Sequence, residues 1–519
     1  MIKSLLSVGG ITLLSRATGF FRDVMLGAVL GAGLAADAFV VAFRLPNHFR
    51  AIFGEGAFNA AYVPTYSGVL EKEGAAKAKV FSGQIFSLLL LSQILVLGLA
   101  WAFTPELVRL LAPGFADDPQ KFDLAVVLTR ITFPYLLCVT LVTLLSGTLN
   151  AHRRFVAAAF APVLLNLSMM GALAIAFLFP SAGHAAAAGV CAAGVAELLL
   201  LLIAARRASV LASPARPRWT PDVRQFFKTV VPAVIGSAGV QIAIFADTII
   251  SSLLPTGGPS SIYYADRIYQ LPIGVIGIAA GTVLLPEMSR RFAAGDPGAA
   301  FHAQNRTMAI TILLSAPFLV AFLTIPDLIM RAVFVRGAFT VQDADAAAAV
   351  LAAYGFGLMA VVLIRSAVAS FQAQGDTTTP MLISLTAVAV NVVLKMLLFR
   401  PLGAPGLALA TAVGAWINFG LLTLLAMRRG SMRVDPLTIR IGIAVAVGSV
   451  LLAGVALFGQ TLAARLAAAS GLSHPILDLT VLGAAGIAVY AGATVAALRL
   501  LGVPLSKLPG LRRKPQPTA

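Results

Sequence analysis

Charged residues are scarce in this 519-residue sequence. Asp, Glu, Lys and Arg make up only 11% of it, whereas 59% is hydrophobic. A water-soluble domain carries about 25% charged residues to cover its surface, so this composition excludes an ordinary soluble enzyme or binding module. Apolar runs of about 20 residues, long enough to span a bilayer as a helix, recur along nearly the whole chain. The sequence therefore predicts an all-α polytopic membrane protein.

Cysteine and histidine are also rare. The two cysteines, Cys138 and Cys191, both lie in apolar runs, which argues against a disulfide framework or a cysteine metal site. The five histidines are scattered and mostly near predicted loops, without the spacing of a ligand set or a catalytic cluster. We therefore expect no metal, no cofactor and no enzyme activity.

The positive net charge of +17 is distributed unevenly along the chain. The apolar runs and their breaks predict about 14 transmembrane helices: 5–30, 34–60, 80–103, 123–149, 157–179, 185–205, 222–254, 262–289, 304–325, 345–371, 379–399, 404–427, 437–458 and 477–501. Basic residues concentrate in alternate loops and in the C-terminal tail. The positive-inside rule then places that set of loops and both termini in the cytoplasm. This basic rim suits anionic membrane lipids and explains most of the charge without nucleic acid.

Two pairs of similar stretches indicate an internal duplication. The segment 43–67 and the segment 269–289 each carry Leu-Pro early and Pro-x-x-Ser late, and a second pair follows the fourth and tenth helices at a similar offset. An offset of six helices preserves orientation, so the repeats are parallel. We predict two pseudo-symmetric six-helix lobes, residues 1–210 and 220–430, around a central cationic cavity. Residues 431–519 add helices 13 and 14 and a cytoplasmic tail.

Ionisable residues interrupt several predicted spans, beginning with Arg16, Arg22 and Asp23 in "LLSRATGFFRDVMLGAVLG". Such groups are costly at bilayer depth unless they meet water, a partner or an ion. A guanidinium stays charged at any depth and binds phosphate oxygens through two parallel N–H groups. The surplus of arginines predicts an anionic ligand: a pyrophosphate-bearing lipid headgroup, a nucleotide or an acidic glycan. The competing interpretation is that the arginines snorkel to the interface or pair privately with nearby acids.

Seven stretches together resemble the MurJ/MviN lipid II flippases of the MOP exporter superfamily. They run in family order across nearly the whole chain: "LSRATGFFRD", "ADAFVVAFRLPNHFRAIFGEGAF", "APGFA", "ITFPY", "APVLLNLS", "YYADRIYQLPIGVIGIAAGTVLLP" and "QGDTTTP". The resemblance implies movement of undecaprenyl-pyrophosphate-linked peptidoglycan precursor from the inner to the outer leaflet of the bacterial inner membrane, with cell-wall synthesis proteins as further possible partners. It also implies that helices 13 and 14 form an apolar groove for the lipid tail.

The resemblance assigns roles to individual residues. The family's substrate-binding arginines fall on Arg16, Arg22, Arg50 and Arg267. Its cavity or gating positions fall on another set: Asp23, Asp37, Glu55 and Arg365. A sodium site known in some members falls on a third set: Asp247, Asn391, Lys395 and Thr411. Lys395 stands where a carboxylate is expected, and an ammonium cannot ligate sodium, so we expect this site to be lost here. Gln270 likewise stands where some relatives have a carboxylate.

Three other functions are weighed against this one. A flippase for another polyprenyl-linked glycan would need a similar cavity. A multidrug or cation exporter of the same superfamily would need an acidic, aromatic cavity, whereas this one is predicted to be basic. A membrane enzyme acting on polyprenyl phosphates would need a base, nucleophile or metal cluster.

Overall fold

The structure is a computed structural model that describes residues 2–54, 57–470 and 474–503. Its regular elements are helices, which confirms the predicted all-α class. The α-helices are α1 (Ile2–Leu30), α2 (Leu34–Gly54), α3 (Ala57–Glu73), α4 (Ala75–Ala102), α5 (Thr104–Leu111), α6 (Pro119–Thr132), α7 (Pro134–Ala151), α8 (Val156–Ala174), α9 (Ala182–Arg207), α10 (Pro221–Ser252), α11 (Gly258–Pro272), α12 (Ile278–Ala293), α13 (Pro297–Thr324), α14 (Pro326–Phe334), α15 (Val341–Gln372), α16 (Thr378–Arg428), α17 (Pro436–Ser470) and α18 (Pro475–Leu500).

Within this described part of the chain, 10 helical stretches are long and apolar enough to cross a membrane, judged on length and composition. The polytopic membrane class is thereby confirmed. The helices α1, α2 and α10, which carry several of the intramembrane charges, are not among the ten. The predicted number of 14 spans stays a prediction.

Proline and glycine explain where some predicted helices break. The 51-residue helix α16 is interrupted at Gly403, whose backbone (φ +60°, ψ −139°) is not helical, so its two halves correspond to the predicted eleventh and twelfth helices. The predicted helix 123–149 is instead divided into α6 and α7 at Phe133, because Pro134 begins the second helix and has no N–H to continue the first. Between α11 and α12, the residues Ile273–Gly277 form one π-helical turn.

Two compact units can be distinguished, and the first comprises Met1–Ser260 with Arg336–Thr340. Within it, α1 packs on α8, α8 on α9 and α3 on α10. Tyr62 is fully buried in its aromatic core, with ring centroids 5.3 Å from Phe58 and 5.6 Å from Tyr66. Its hydroxyl is hydrogen-bonded to Ser82 and Thr148 at 2.9 and 2.8 Å, which satisfies a polar group that burial would otherwise penalise. The predicted lobe boundaries at 210 and 220 stay a prediction.

Two glycine-containing loops of the first unit contact the last turns of two helices. Gly337 (φ +58°) lies so close to the carbonyl oxygen of Ala28 in α1 that an added methyl group would overlap it. The neighbouring Ala338 N–H donates to the same oxygen at 2.8 Å. Gly114 lies equally close to the carbonyl oxygen of Ser252, the last residue of α10. Both contacts need the small size of glycine.

The second unit comprises Ser261–Val335 and Val341–Ala519. The helices α15 and α16 pack together, α13 lies against both α15 and α17, and α17 pairs with α18. Tyr490 of α18 is buried and donates from its hydroxyl to the Leu313 carbonyl of α13 at 2.7 Å. The predicted thirteenth and fourteenth helices are therefore anchored to this unit by α13.

Candidate functional site

Arg22 and Asp23 lie in the C-terminal third of α1 and form a buried ion pair. The Nε and Nη2 atoms of Arg22 both donate to Oδ1 of Asp23, at 3.0 and 2.7 Å. The two residues are only 8% and 4% exposed, so the structure places this pair in the protein interior. Because a buried guanidinium is strongly destabilised unless a partner is present, Asp23 explains how α1 tolerates Arg22 in this conformation.

A third side chain is hydrogen-bonded to Arg22. Asn166, in the middle of α8, accepts a hydrogen bond from Nη1 of Arg22 at 3.0 Å. Its own amide nitrogen donates to the Ser15 carbonyl and to the Thr18 hydroxyl on α1, both at 3.0 Å. Asn166 is 5% exposed. The amide thus joins α8 to α1 through three polar contacts, all around the arginine.

The remaining predicted arginines of the first unit are placed differently. Arg16 is exposed on α1, one turn and a half before Arg22. Arg44 of α2 donates from Nη1 to the Thr248 hydroxyl of α10 at 3.1 Å. The side chain of Arg50 and the whole of Glu55 lie outside the described residues.

Asp37, at the start of α2, has the most complete set of partners among the predicted acids. It is fully buried and its Oδ2 lies 2.7 Å from the Nζ of Lys121. Its two carboxylate oxygens also accept the backbone N–H groups of Gly257 and Ser260, at 2.8 and 2.9 Å. These donors lie just before and within the first turn of α11, so Asp37 caps a helix remote in sequence. We call Asp37, Lys121, Gly257 and Ser260 the Asp37 clasp.

Lys121 is the unexpected member of the Asp37 clasp. It lies in the first turn of α6, is 3% exposed, and its Nζ is 4.3 Å from the centroid of the buried Phe115 ring. An ammonium over an aromatic face gains a cation–π attraction that is strongest when both groups are desolvated. The resemblance implies a cavity or gating role for Asp37 and assigns no role to Lys121.

In the second unit, Arg267 and Arg365 each have a characteristic neighbour. The Arg267 guanidinium lies over the Tyr263 ring, 4.5 Å from its centroid, one turn earlier in α11. Arg365 is exposed on α15, and its aliphatic stem passes Gly277 and Gly281. A methyl group added at Gly281 would lie 3.3 Å from Cδ of Arg365. Gly277 and Gly281 therefore allow α15 to pack closely at this point.

The four positions of the predicted lost sodium site are divided between the units. Asp247 is half-buried on α10 of the first unit. In the second unit, Lys395 is 3% exposed on α16, and the Thr411 hydroxyl donates to the Leu407 carbonyl at 3.1 Å. The Cβ of Asn391 packs against Gly414 in the other half of α16. Lys395 is thus buried in the second unit, whereas its effect on ion binding stays a prediction.

Asn166 and Lys121 are the residues that sequence reasoning missed. Asn166 stands in "APVLLNLS", a stretch used only for the resemblance, although one amide in an apolar helix is itself a signal of an internal partner. Lys121 gave no such signal, because a lysine near a predicted helix end is usually solvated. Its burial depends on Phe115 and Asp37, which reach it only in the folded chain.

Comparison with solved structures supports the all-helical membrane fold. A structure titled "Lipid II flippase MurJ, inward closed conformation" superposes with a TM-score of 0.78, over 95% of this chain and 99% of that one, at 22% identity. A multidrug resistance MATE family transporter in an inward-facing conformation gives a TM-score of 0.63, over 82% of this chain and 97% of that one, at 13% identity. At these identities the matches define the fold class, which is a polytopic helical membrane fold.

Sequence comparison then identifies the family. The profile described as "Lipid II flippase MurJ" matches residues 26–470. A probable lipid II flippase MurJ of Rhizobium meliloti is 40% identical over 497 residues, which cover 94% of this chain and 92% of the relative. The lipid II flippase MurJ of Burkholderia cenocepacia is 33% identical over 467 residues, covering 88% and 89%. The chain belongs to the lipid II flippase MurJ family.

Proposed function

We propose that this protein translocates lipid II, the undecaprenyl-pyrophosphate-linked peptidoglycan precursor, from the cytoplasmic to the periplasmic leaflet of the bacterial inner membrane by alternating access. The observation that carries the proposal is family membership: relatives named lipid II flippase are up to 41% identical over most of the chain. No bond is made or broken in this process. Both termini lie in the cytoplasm, as the distribution of basic loops indicates.

Arg22 is the residue whose surroundings best support pyrophosphate recognition. Its guanidinium is buried in α1 and already forms charge-assisted hydrogen bonds to a carboxylate. A pyrophosphate offers the same type of oxygen acceptor with more negative charge, so it competes with Asp23 for the same donors. Arg16, Arg50 and Arg267 add the further positive charge that a diphosphate requires. Asp23 keeps the arginine neutralised when substrate is absent.

The Asp37 clasp supports a gating role for Asp37. The carboxylate holds the beginnings of α6 and α11 to α2 through Lys121 and the N–H groups of Gly257 and Ser260. Any conformational change that separates these three helix ends must expose or re-pair a buried carboxylate, which is energetically costly. The clasp therefore stabilises the conformation seen here against its alternative in the transport cycle.

The driving force does not require the sodium site known in some relatives. Lys395 occupies one of its positions with a buried ammonium, which repels a cation. An inside-negative membrane potential favours outward movement of an anion by about 2.3 kcal/mol per charge per 100 mV. We propose that the potential, rather than sodium, assists transport in this protein.

The experiment that tests the function is rescue of cells depleted of their own lipid II flippase. The wild-type chain is expected to restore growth and the appearance of lipid II in the outer leaflet. Arg22→Ala is expected to fail at normal expression. Arg109→Ala is the matched control, because Arg109 is an exposed arginine of the same unit, with Glu106 at 4.0 Å and the centroid of the Phe122 ring at 5.2 Å.

Three outcomes would contradict parts of this proposal. Normal lipid II export by Arg22→Ala would remove Arg22 from the site. Rescue of a different glycan-lipid export defect, without rescue of lipid II export, would support the other-glycan alternative. Release of phosphate from undecaprenyl pyrophosphate by the purified protein would support the enzyme alternative and overturn the assignment as a transporter.

A further inference from the structure

We infer that Asn166 is a positioning residue for substrate recognition, which holds the Arg22 guanidinium in the orientation in which it meets the pyrophosphate. This inference rests on the proposed function and deepens it, since it names a residue that acts through the arginine. Asn166 has no charge of its own and lies on a different helix, α8, from the arginine that it contacts.

The orientation of the Asn166 amide is determined by its partners on α1. Its nitrogen faces the Ser15 carbonyl, which can only accept, and the Thr18 hydroxyl. That hydroxyl donates its single proton to the α1 backbone, at 2.9 Å to the Leu14 carbonyl, so it too accepts from Asn166. Both amide hydrogens are thus directed to α1. The amide oxygen is left facing Nη1 of Arg22.

Asp23 and Asn166 hold different parts of the guanidinium. Asp23 binds the edge formed by Nε and Nη2, whereas Asn166 binds Nη1. Hydrogen bonds at two separate edges restrict rotation of the guanidinium more than the bonds to the Asp23 carboxylate would by themselves. Because a group held in place before binding loses little freedom on binding, this arrangement favours tight recognition of a diphosphate.

The neutrality of the amide is as important as its geometry. The Arg22 and Asp23 pair has no net charge, and Asn166 adds an acceptor without changing that balance. A carboxylate at position 166 would give two negative charges around one guanidinium. These three groups would then carry a net negative charge and repel an incoming pyrophosphate, although the contact to Nη1 of Arg22 would be preserved.

The alternative is that Asn166 only fastens α8 to α1, since the two helices pack against each other and Gly19 leaves room for the amide. A fastening role predicts loss of stability without a specific loss of affinity. A positioning role predicts that affinity falls only when Arg22 is present to be positioned. The two roles are therefore separated by combining the substitutions.

The test uses the full-length purified protein in lipid nanodiscs, with undecaprenyl pyrophosphate as the probe. The dissociation constant and the thermal unfolding midpoint are measured for Asn166→Ala, Asn166→Asp and Arg22→Ala, and for the double variant of Arg22→Ala with Asn166→Ala. Thr18→Val and Thr18→Ser form a conservative pair, because only serine keeps the hydroxyl that accepts from Asn166. This pair also serves if the Asn166 variants fold poorly.

Asn166→Ala is expected to bind about tenfold more weakly, the loss typical of one hydrogen bond to a charged group. Asn166→Asp is expected to bind more weakly still, Thr18→Val to show a smaller loss, and Thr18→Ser to match the wild type. In the Arg22→Ala background, Asn166→Ala is expected to cause no further loss. An equal loss in both backgrounds, or a lower unfolding midpoint with unchanged affinity, would overturn the inference. Unchanged affinity of Arg22→Ala itself would overturn the proposed site, and the inference with it.

Discussion

The buried pair of Asp37 and Lys121 gives the sharpest quantitative prediction. Lys121→Met keeps the length and apolar stem of the side chain but removes the ammonium that lies 2.7 Å from the carboxylate. Asp37 is completely buried, so no solvent replaces the lost partner. Among the described residues, the N–H groups of Gly257 and Ser260 then remain to stabilise the negative charge. We expect a large loss of stability.

The magnitude follows from the burial of both partners. Removal of one member of a buried ion pair destabilises a protein by about 3–5 kcal/mol, because the other charge is left uncompensated. The two remaining N–H donors place this case near 3 kcal/mol, the lower end of that range. Asp37→Asn is expected to cost a similar amount, since an asparagine cannot accept from both N–H groups as a carboxylate does. The double variant is expected to cost less than the sum, by at least about 1 kcal/mol.

The assay is thermal unfolding of the purified protein, with Lys77→Met as the control. Lys77 forms a contact of the same 2.7 Å length to Glu73, but its side chain is 68% exposed. An exposed pair contributes little to stability because solvent screens it, so the control should unfold almost as the wild type does. If Lys121→Met and Lys77→Met lower the unfolding midpoint equally, or if the double-variant cycle is additive, the reasoning about the Asp37 clasp is refuted.

Three further predictions concern other parts of the chain. Gly337→Ala is expected to destabilise the first unit by more than the roughly 1–2 kcal/mol that a left-handed alanine costs, because its methyl group also overlaps a carbonyl oxygen. Gly430→Ala is the control for the conformational cost alone, since Gly430 has φ +67° and open space around it. Equal unfolding midpoints of the two variants would contradict the overlap. Replacement of sodium by choline is expected to leave lipid II export unchanged, because we propose that Lys395 replaces a ligand of the sodium site. A strong sodium requirement in vesicles would disprove this. Hydrogen bonds from Thr379 and the neighbouring Arg429 lower the pKa of Asp376, which lies in the loop before α16. The ionised Asp376 therefore stabilises the folded protein above the pKa that this residue has in the unfolded chain. That stabilisation is lost as the pH falls through its lower pKa in the folded protein. The unfolding midpoints of the wild type and Asp376→Asn should therefore differ at pH 7 and converge below about pH 4, and a constant difference would show that Asp376 does not act through its charge.

The sequence predicted more about α1 than about the Asp37 clasp. For α1, charges in an apolar run were enough to predict interior polar groups, and the structure places Arg22 and Asp23 in the interior. For the clasp, the sequence indicated a buried acid but not its partners. Lys121 and Gly257 are 84 and 220 positions away from Asp37, and no periodicity relates residues on separate helices. Asn166 was hidden for the same reason, since an amide shows its partner only when two helices pack.

The sequence by itself determined that this protein is an all-helical membrane protein with arginines in its spans, because hydrophobic run length and the high energy of buried charge are properties of local segments. Tertiary structure alone decided which acid neutralises which cation. It also decided that the N–H groups at a helix end, an amide and a lysine bind the charged residues that the sequence predicted. Those choices depend on distances of about 3 Å between atoms of different helices. Such distances are fixed by the packing of whole helices rather than by the order of residues within any one of them.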